Sequence, residues 1–129
     1  MAEAAGKRIL VVDDASLVRR FYRDALERAG FEVDEALNGV EALEKVLGDS
    51  YDLVIVDVNM PQMDGLTFLR TLRRQSDVVS SLPSLVISTE AGPQDTAAAR
   101  AAGANFYLVK PASQERLVEY VSIMCGLPT

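Results

Sequence analysis

Four short runs of almost purely apolar residues recur along the chain and constrain its fold more than any other feature. They occupy residues 9–12, 53–56, 85–87 and 106–109, and most of them are rich in β-branched side chains. Continuous apolar character, without alternation, is typical of strands that helices cover on both faces of a parallel sheet. We therefore interpret all four runs as buried strands.

The segments between these runs have the periodicity of helices. A fifth, weaker strand is predicted over residues 31–36, where apolar residues alternate with acids and indicate a sheet edge. Glycine and proline mark helix ends and starts. Five helices are predicted: one that stops before Gly30, one that ends at Gly48, one that follows Asp64-Gly65, one from Pro93 to Gly103, and one lined by Leu117, Val121 and Met124.

Alternating strands and helices require parallel strand pairing with right-handed crossovers, and hence a three-layer α/β/α sandwich. Five such units fit the flavodoxin-like (βα)5 fold, whose parallel sheet has the strand order 2-1-3-4-5. The 129 residues contain no linker, repeat or low-complexity tract. We therefore expect one domain over residues 1–129, with no output domain.

Composition excludes several classes of function. The net charge of −6 argues against direct nucleic-acid binding, because phosphate contacts need clustered Lys and Arg. No apolar run is long enough to insert into a membrane, and no signal core follows the N-terminal charges, so a cytoplasmic location is expected. The single Cys125 excludes an internal disulfide, and the absence of histidine removes the usual zinc and imidazole chemistry.

Polar residues follow four of the five predicted strands directly. Because ligand sites in open α/β sheets lie beyond the carboxyl ends of the strands, these side chains are expected to converge at one edge. They are Asp13, Asp14, Asp57, Ser88, Thr89 and Lys110. Three acids packed together repel one another unless a cation neutralises them, and an all-oxygen cluster suits Mg²⁺. The sequence therefore predicts a magnesium site.

A substrate phosphoryl group would complete the coordination of such an ion. Lys110 could pair with that phosphoryl group as a point charge, and the Ser88 hydroxyl could donate a hydrogen bond to it. Carboxylates can attack phosphorus to form an acyl phosphate. Asp57, at the end of a central strand, is the best candidate for that nucleophile.

Four motifs, in order and with βα spacing, resemble those of response-regulator receiver domains of the stand-alone, CheY-like type. They are ILVVDD at residues 9–14, DLVIVDVNMPQMDG at 52–65, ISTE at 87–90 and YLVKP at 107–111. The resemblance extends over essentially the whole chain, and the four motifs together are highly specific.

The resemblance implies a role for each matching residue of the acidic site. Asp57 resembles the phosphoacceptor, Asp14 a direct Mg²⁺ ligand and Asp13 a ligand that acts mainly through water. The backbone carbonyl of Asn59 would complete the protein ligands. Lys110 resembles the lysine that binds the phosphoryl group, and its peptide bond to Pro111 is expected to be cis.

The resemblance also assigns a switch and a set of groups that tune the phosphorylated lifetime. Ser88 resembles the switch hydroxyl, which moves toward the phosphoryl group, and Tyr107 resembles the aromatic that fills the vacated space. Asn59 and Glu90 resemble the polar pair that assists the hydrolytic water. Thr89 stands where many members have Ala or Gly, and its methyl group is expected to narrow the approach of water and small donors.

The implied function is that of a two-component response regulator. A histidine kinase or phosphotransfer protein would donate the phosphoryl group to Asp57, with Arg19, Arg20 and Arg23 on the first helix as candidate contacts. The chain would catalyse only its own phosphorylation and dephosphorylation. Phosphorylation would switch the surface of the last two predicted helices and the strand between them, which would control a protein target, in chemotaxis for instance. A phosphatase is a further candidate partner.

Three alternatives stay open at this stage. The chain could be a phosphate sink or relay intermediate, since Tyr120 and Ile123 stand where motor-binding relatives carry lysines. It could be a Mg²⁺-dependent aspartyl-phosphate hydrolase like the haloacid dehalogenases, although Asn59 replaces the second aspartate of those enzymes. It could bind a flavin or nucleotide, although no Gly-rich phosphate loop follows the first strand.

Overall fold

The computed structural model describes residues 6–60 and 62–127. Within these residues, five parallel strands form one sheet in the order β2-β1-β3-β4-β5, which confirms the predicted fold class and strand order. The strands are β1 (Arg8–Val12), β2 (Glu32–Ala36), β3 (Leu53–Asp57), β4 (Ser84–Ser88) and β5 (Phe106–Val109).

Among the described residues, six helices connect and cover the strands. They are α1 (Ser16–Arg28), α2 (Gly39–Gly48), α3 (Gly65–Arg73), α4 (Asp77–Ser80), α5 (Pro93–Ala102) and α6 (Gln114–Met124). The prediction of five helices was therefore one too few. The missed helix, α4, is a single turn with no buried residue, so it has no apolar periodicity that the sequence could show. The fourth and fifth predicted helices correspond to α5 and α6.

Helix boundaries follow the expected local chemistry. The Asp64 side chain caps α3 by accepting a hydrogen bond from the backbone N–H of Thr67 at 2.9 Å. Pro93 is the first residue of α5, and Gly103 ends that helix with a φ of 118°. This left-handed conformation is available to glycine at little cost, which explains why the helix stops there.

Alternate side chains of the central strands supply two apolar layers, one on each face of the sheet. Ile9 and Val11 of β1 belong to a cluster with α1 and α6. Leu10 and Val12 belong to a second cluster with α2, α3 and α5. All four side chains are essentially inaccessible to solvent. Burial on both faces explains the unbroken apolar run that marked this strand in the sequence.

The two edge strands differ from the central ones. β2 lies at one edge, where its alternating pattern had placed it. The prediction that residues 106–109 form a fully buried strand was wrong: Phe106 is 49% exposed, Val109 is also exposed, and of the four residues only Leu108 is buried. At the sheet edge, one flank of β5 has no neighbouring strand to cover it.

Within the described part of the chain, we find no helix with the length and apolar character needed to cross a membrane.

Arg73, the last residue of α3, connects several segments at the edge of the sheet where the strands begin. Its guanidinium group donates hydrogen bonds to the backbone oxygens of Ser80 (2.9 Å), Leu82 (2.7 Å) and Gly103 (2.6 Å). It also donates to the Ser84 hydroxyl at 3.0 Å. The arginine thus joins α3 to the segments that precede β4 and β5, and burial lowers the pKa of its guanidinium group.

We expect Arg73→Met to lower the free energy of unfolding by about 3 kcal/mol, because several carbonyl groups lose their donor while the side-chain volume is largely kept. Urea denaturation measures the change. Arg74→Met is the matched control, since Arg74 is the next residue and is exposed. Equal stability of the two variants would contradict the structural role of Arg73.

Candidate functional site

The register of β1 and β3 brings two acidic residues side by side. Val12 of β1 is level with Val56 of β3, so the residues that follow, Asp13 and Asp57, lie next to each other at the carboxyl edge of the sheet. Asp14 is the third member of the group. One carboxylate oxygen from each residue lies within 4.8 Å of the others. The structure therefore brings the three predicted metal-site acids together.

Lys110 approaches the acids from the end of β5. Its Nζ atom lies 3.4 Å from Oδ2 of Asp13 and 3.5 Å from Oδ1 of Asp57. The backbone N–H of Lys110 donates to the backbone oxygen of Ser88 at 2.8 Å, which fixes the start of the β5–α6 loop. The Lys110-Pro111 peptide bond is cis, as the resemblance predicted. The ammonium group thus lies between the carboxylates of Asp13 and Asp57.

Burial makes this cluster of charges costly. The side chain of Asp13 is 3% exposed and that of Asp57 is 12% exposed, whereas Asp14 lies at the surface. Burial and, next, the negative charge of Asp13 raise the pKa of Asp57 above its ordinary value. Lys110 and the backbone N–H of Asn59 oppose this rise without cancelling it. The site therefore favours any group that adds positive charge next to Asp57.

The donor set fits a magnesium ion. It consists of carboxylate oxygens with no nitrogen or sulfur ligand, which is the chemistry that hard divalent cations prefer. Asp13, Asp14 and Asp57 would hold the ion, and Asn59, two residues beyond β3, is the predicted fourth ligand through its backbone oxygen. Because Asp14 is exposed and Asp57 is only partly buried, the site is open on the solvent side.

The predicted switch residues are connected through the backbone of Glu90. Ser88 is fully buried at the end of β4, and its Oγ atom accepts a hydrogen bond from the Glu90 N–H at 3.1 Å. The Tyr107 hydroxyl donates to the Glu90 backbone oxygen at 2.7 Å. The Thr89 and Glu90 side chains are exposed at the rim of the site. Residue 90 therefore links the hydroxyl beneath the site to the aromatic on β5.

Two residues that support the site were not singled out from the sequence. Tyr22 of α1 is buried, and its pKa is raised first by burial and then by the charges of Asp13 and Asp57. Gly65 was read only as a helix start, but a Cβ atom there would overlap the backbone oxygen of Asp57. In the sequence, Tyr22 is one of several apolar residues of the first predicted helix, and only the fold places it near Asp13 and Asp57.

The raised pKa of Asp57 leads to a pH-dependent prediction. Because the folded-state pKa lies above the ordinary value, ionised Asp57 destabilises the fold. This cost develops as the pH rises from the ordinary carboxyl pKa through the folded-state pKa, and it is complete above the latter. Without divalent cations, Asp57→Asn should therefore raise the urea midpoint at neutral pH, and the gain should fade as the pH is lowered.

Asp24→Asn provides the control for this measurement, since Asp24 is an exposed acid on α1. That variant should leave the urea midpoint close to that of the wild type. A gain for Asp57→Asn that is the same at all pH values would rule out charge burial as its cause.

Comparison with known proteins finds similarity over most of the chain, including the residues of this site. The family model for the response regulator receiver domain matches residues 9–122. Chemotaxis protein CheY1 of Helicobacter pylori is 39% identical over 121 residues, which cover 92% of this chain and 97% of that protein. Response regulator MprA of Mycobacterium ulcerans is 42% identical over 111 residues, covering 86% of this chain and 47% of that protein.

Solved structures show the same similarity. The structure of chemotaxis protein CheY4 from Vibrio cholerae superimposes with a TM-score of 0.88 at 37% identity. The match covers 93% of this chain and 99% of that one. The match thus extends over nearly the whole length of CheY1 and CheY4, and over about half of MprA.

Proposed function

This chain belongs to the response regulator receiver domain family of two-component signalling, and we propose that it accepts a phosphoryl group on Asp57 from the phosphohistidine of a kinase or phosphotransfer protein. The observation that supports this most directly is the position of Lys110 between Asp13 and Asp57, beside the group of three carboxylates. Such a site combines a nucleophile, a cation for the phosphoryl group and ligands for Mg²⁺.

In the proposed reaction, an Asp57 carboxylate oxygen attacks the phosphorus atom of the donor. A P–O bond forms and the P–N bond to the donor imidazole breaks, and the ring takes up a proton from water so that it leaves as neutral imidazole. Lys110 holds the incoming phosphoryl oxygens as a point charge. Mg²⁺, when bound at the three acids, would neutralise part of the negative charge on those oxygens. Hydrolysis of the acyl phosphate later returns Asp57 to a carboxylate.

The switch that we propose begins at Ser88. A phosphoryl group on Asp57 offers oxygen acceptors at the end of β3, next to β4, and the buried Ser88 hydroxyl is free to turn toward them if it releases the Glu90 N–H. Movement of the β4–α5 segment then shifts the backbone carbonyl group of Glu90, which accepts the hydrogen bond from the Tyr107 hydroxyl. The output is a change in the surface formed by α5, β5 and α6.

Incubation with acetyl phosphate and Mg²⁺ tests the chemistry of the site without a partner protein. We expect the intact mass of the wild type to increase by one phosphoryl group, only when Mg²⁺ is present. Asp57→Asn should show no gain, whereas Asp24→Asn should behave as the wild type. Phosphorylation of Asp57→Asn at the wild-type rate would disprove the assignment of the acceptor.

The same assay includes Thr89→Ala, because Thr89 is exposed and directly follows β4, the strand that pairs with β3 and its last residue Asp57. Removing its methyl group should speed both the gain and the loss of the phosphoryl group.

A second candidate function is the hydrolysis of small phosphomonoesters, and a protein with that function would turn over p-nitrophenyl phosphate continuously. We expect none, because Asn59 stands where the second aspartate of such hydrolases would act as general acid.

We propose that the phosphodonor docks beside α1. An apolar groove lies there, next to the acceptor, and Leu17 at its rim is 79% exposed. Lys110 belongs to both the groove and the acidic site, so a helix seated in the groove would bring a histidine toward Asp57. The groove is lined by Leu17, Val18, Phe21, Tyr22, Lys110, Pro111 and Ala112.

Leu17→Asp should slow transfer from a phosphorylated kinase domain about tenfold, because a charge replaces an apolar contact of the docked partner. The rate with acetyl phosphate should stay unchanged. Leu47→Asp is the control, since Leu47 is also exposed but lies at the end of α2, away from the groove. An equal loss with both donors would show that Leu17 supports the site and not the docking.

For the downstream target we propose an apolar contact on α5, β5 and α6. Phe106 and Ile123 are exposed on this surface, and the Phe106 and Tyr120 rings meet edge to face at a centroid distance of 6.3 Å. Arg116 lies over the Tyr120 ring at 5.6 Å. The surface therefore differs from the lysine-rich face of motor-binding relatives. Chemotaxis remains the proposed setting, given the two similar chemotaxis proteins.

A further inference from the structure

Arg19 of α1 contacts the main chain of the acidic site. Its Nη1 atom donates a hydrogen bond of 2.7 Å to the backbone oxygen of Asp13. The Arg19 side chain is 16% exposed, so this contact is largely shielded from solvent. The oxygen that accepts the bond belongs to the peptide unit joining Asp13 to Asp14. Arg19 thus holds the peptide that connects two of the three acids.

Glu35 of β2 fixes the guanidinium group of Arg19 from the other side. Nε of Arg19 donates to Oε1 of Glu35 at 2.8 Å, and Nη1 of Arg23 donates to Oε2 at 2.5 Å. Burial acts to raise the pKa of Glu35, but the hydrogen bonds from Arg23 and Arg19 lower it overall. The glutamate is therefore ionised at neutral pH, and both oxygens are engaged.

Asp13 is held at three further points around the same peptide. Its backbone N–H donates to the Ala36 oxygen at 3.1 Å, and its Oδ1 atom accepts a hydrogen bond from the Ala15 N–H at 2.9 Å. Lys110 contacts its second carboxylate oxygen. With Arg19 on the carbonyl, every polar group of Asp13 has a partner in the protein.

We propose that Arg19 is a positioning residue for the metal site: it fixes the Asp13–Asp14 peptide so that both carboxylates converge with that of Asp57. This inference rests on the proposed function, because it assumes that the three acids bind Mg²⁺. Groups that orient metal ligands commonly contribute tenfold or more to metal affinity, about the size of effect expected here.

The charge of Arg19 and its geometry have opposite effects on Mg²⁺ binding. Arg19 is a cation near a site for a divalent cation, so its charge alone opposes binding. If charge were its only influence, Arg19→Met would bind Mg²⁺ more tightly than the wild type. If Arg19 positions the ligands, the same variant binds Mg²⁺ more weakly. The sign of the change therefore separates the two roles.

The experiment is a calorimetric titration of Mg²⁺ into the unphosphorylated protein and three variants. We expect Arg19→Met to raise the dissociation constant about tenfold. Arg19→Lys keeps the charge but lacks the guanidinium group that bonds to both Asp13 and Glu35, so this variant should also bind Mg²⁺ more weakly. Arg20→Met is the control for charge, because Arg20 is the neighbouring, exposed arginine, and its dissociation constant should not increase.

Mg²⁺ affinity of Arg19→Met at or above the wild-type level would overturn the inference. If Arg19→Met does not fold, as judged by circular dichroism, Arg19→Lys decides the question: wild-type affinity in that variant overturns the positioning role. Absence of Mg²⁺ binding to the wild-type protein would instead overturn the proposed function, and this inference with it.

Discussion

The register between β1 and β3 is the constraint on which the rest of the site depends. It places Asp13 and Asp57 side by side at the carboxyl edge of the sheet, where Asp13 is buried and Asp57 is partly buried. Two like charges in such a position are unfavourable unless other groups compensate. Lys110 supplies a positive charge from the end of β5, and Arg19 holds the backbone of Asp13 from α1. A fold built for stability alone would not place its acids here.

Much of the fold could be predicted because its signals are local. A strand buried on both faces must be apolar throughout, and a helix that ends in the left-handed conformation favours glycine, so the central strands and the end of α5 at Gly103 were visible in the sequence. The single turn α4 and the contacts of Arg73 were not visible in the sequence. The arginine binds three carbonyl groups in the segments that precede β4 and β5, and backbone acceptors leave no pattern of side chains in the sequence.

The candidate site also contains some residues whose position could be predicted from the sequence and others whose position could not. Asp13 and Lys110 directly follow strands and Asp57 is the last residue of one, and parallel strands end at the same edge of a sheet, so their convergence could be predicted from chain order. The arginines of α1 could not be assigned: they were candidate partner contacts, yet Arg19 and Arg23 are engaged by Glu35. Their helical spacing shows which face they share, but not that an edge strand supplies the opposite charge.

The hydrogen bond of Tyr107 has an evolutionary consequence. Its acceptor is the main-chain oxygen of residue 90, which every amino acid possesses, and not the glutamate side chain. Mutations at position 90 can therefore replace the group that borders the acidic site and leave the tyrosine with the same acceptor. Under the proposed function, the lifetime of the phosphorylated state and its transmission to the surface of α5, β5 and α6 are therefore separate traits, and selection can adjust the first without rebuilding the second.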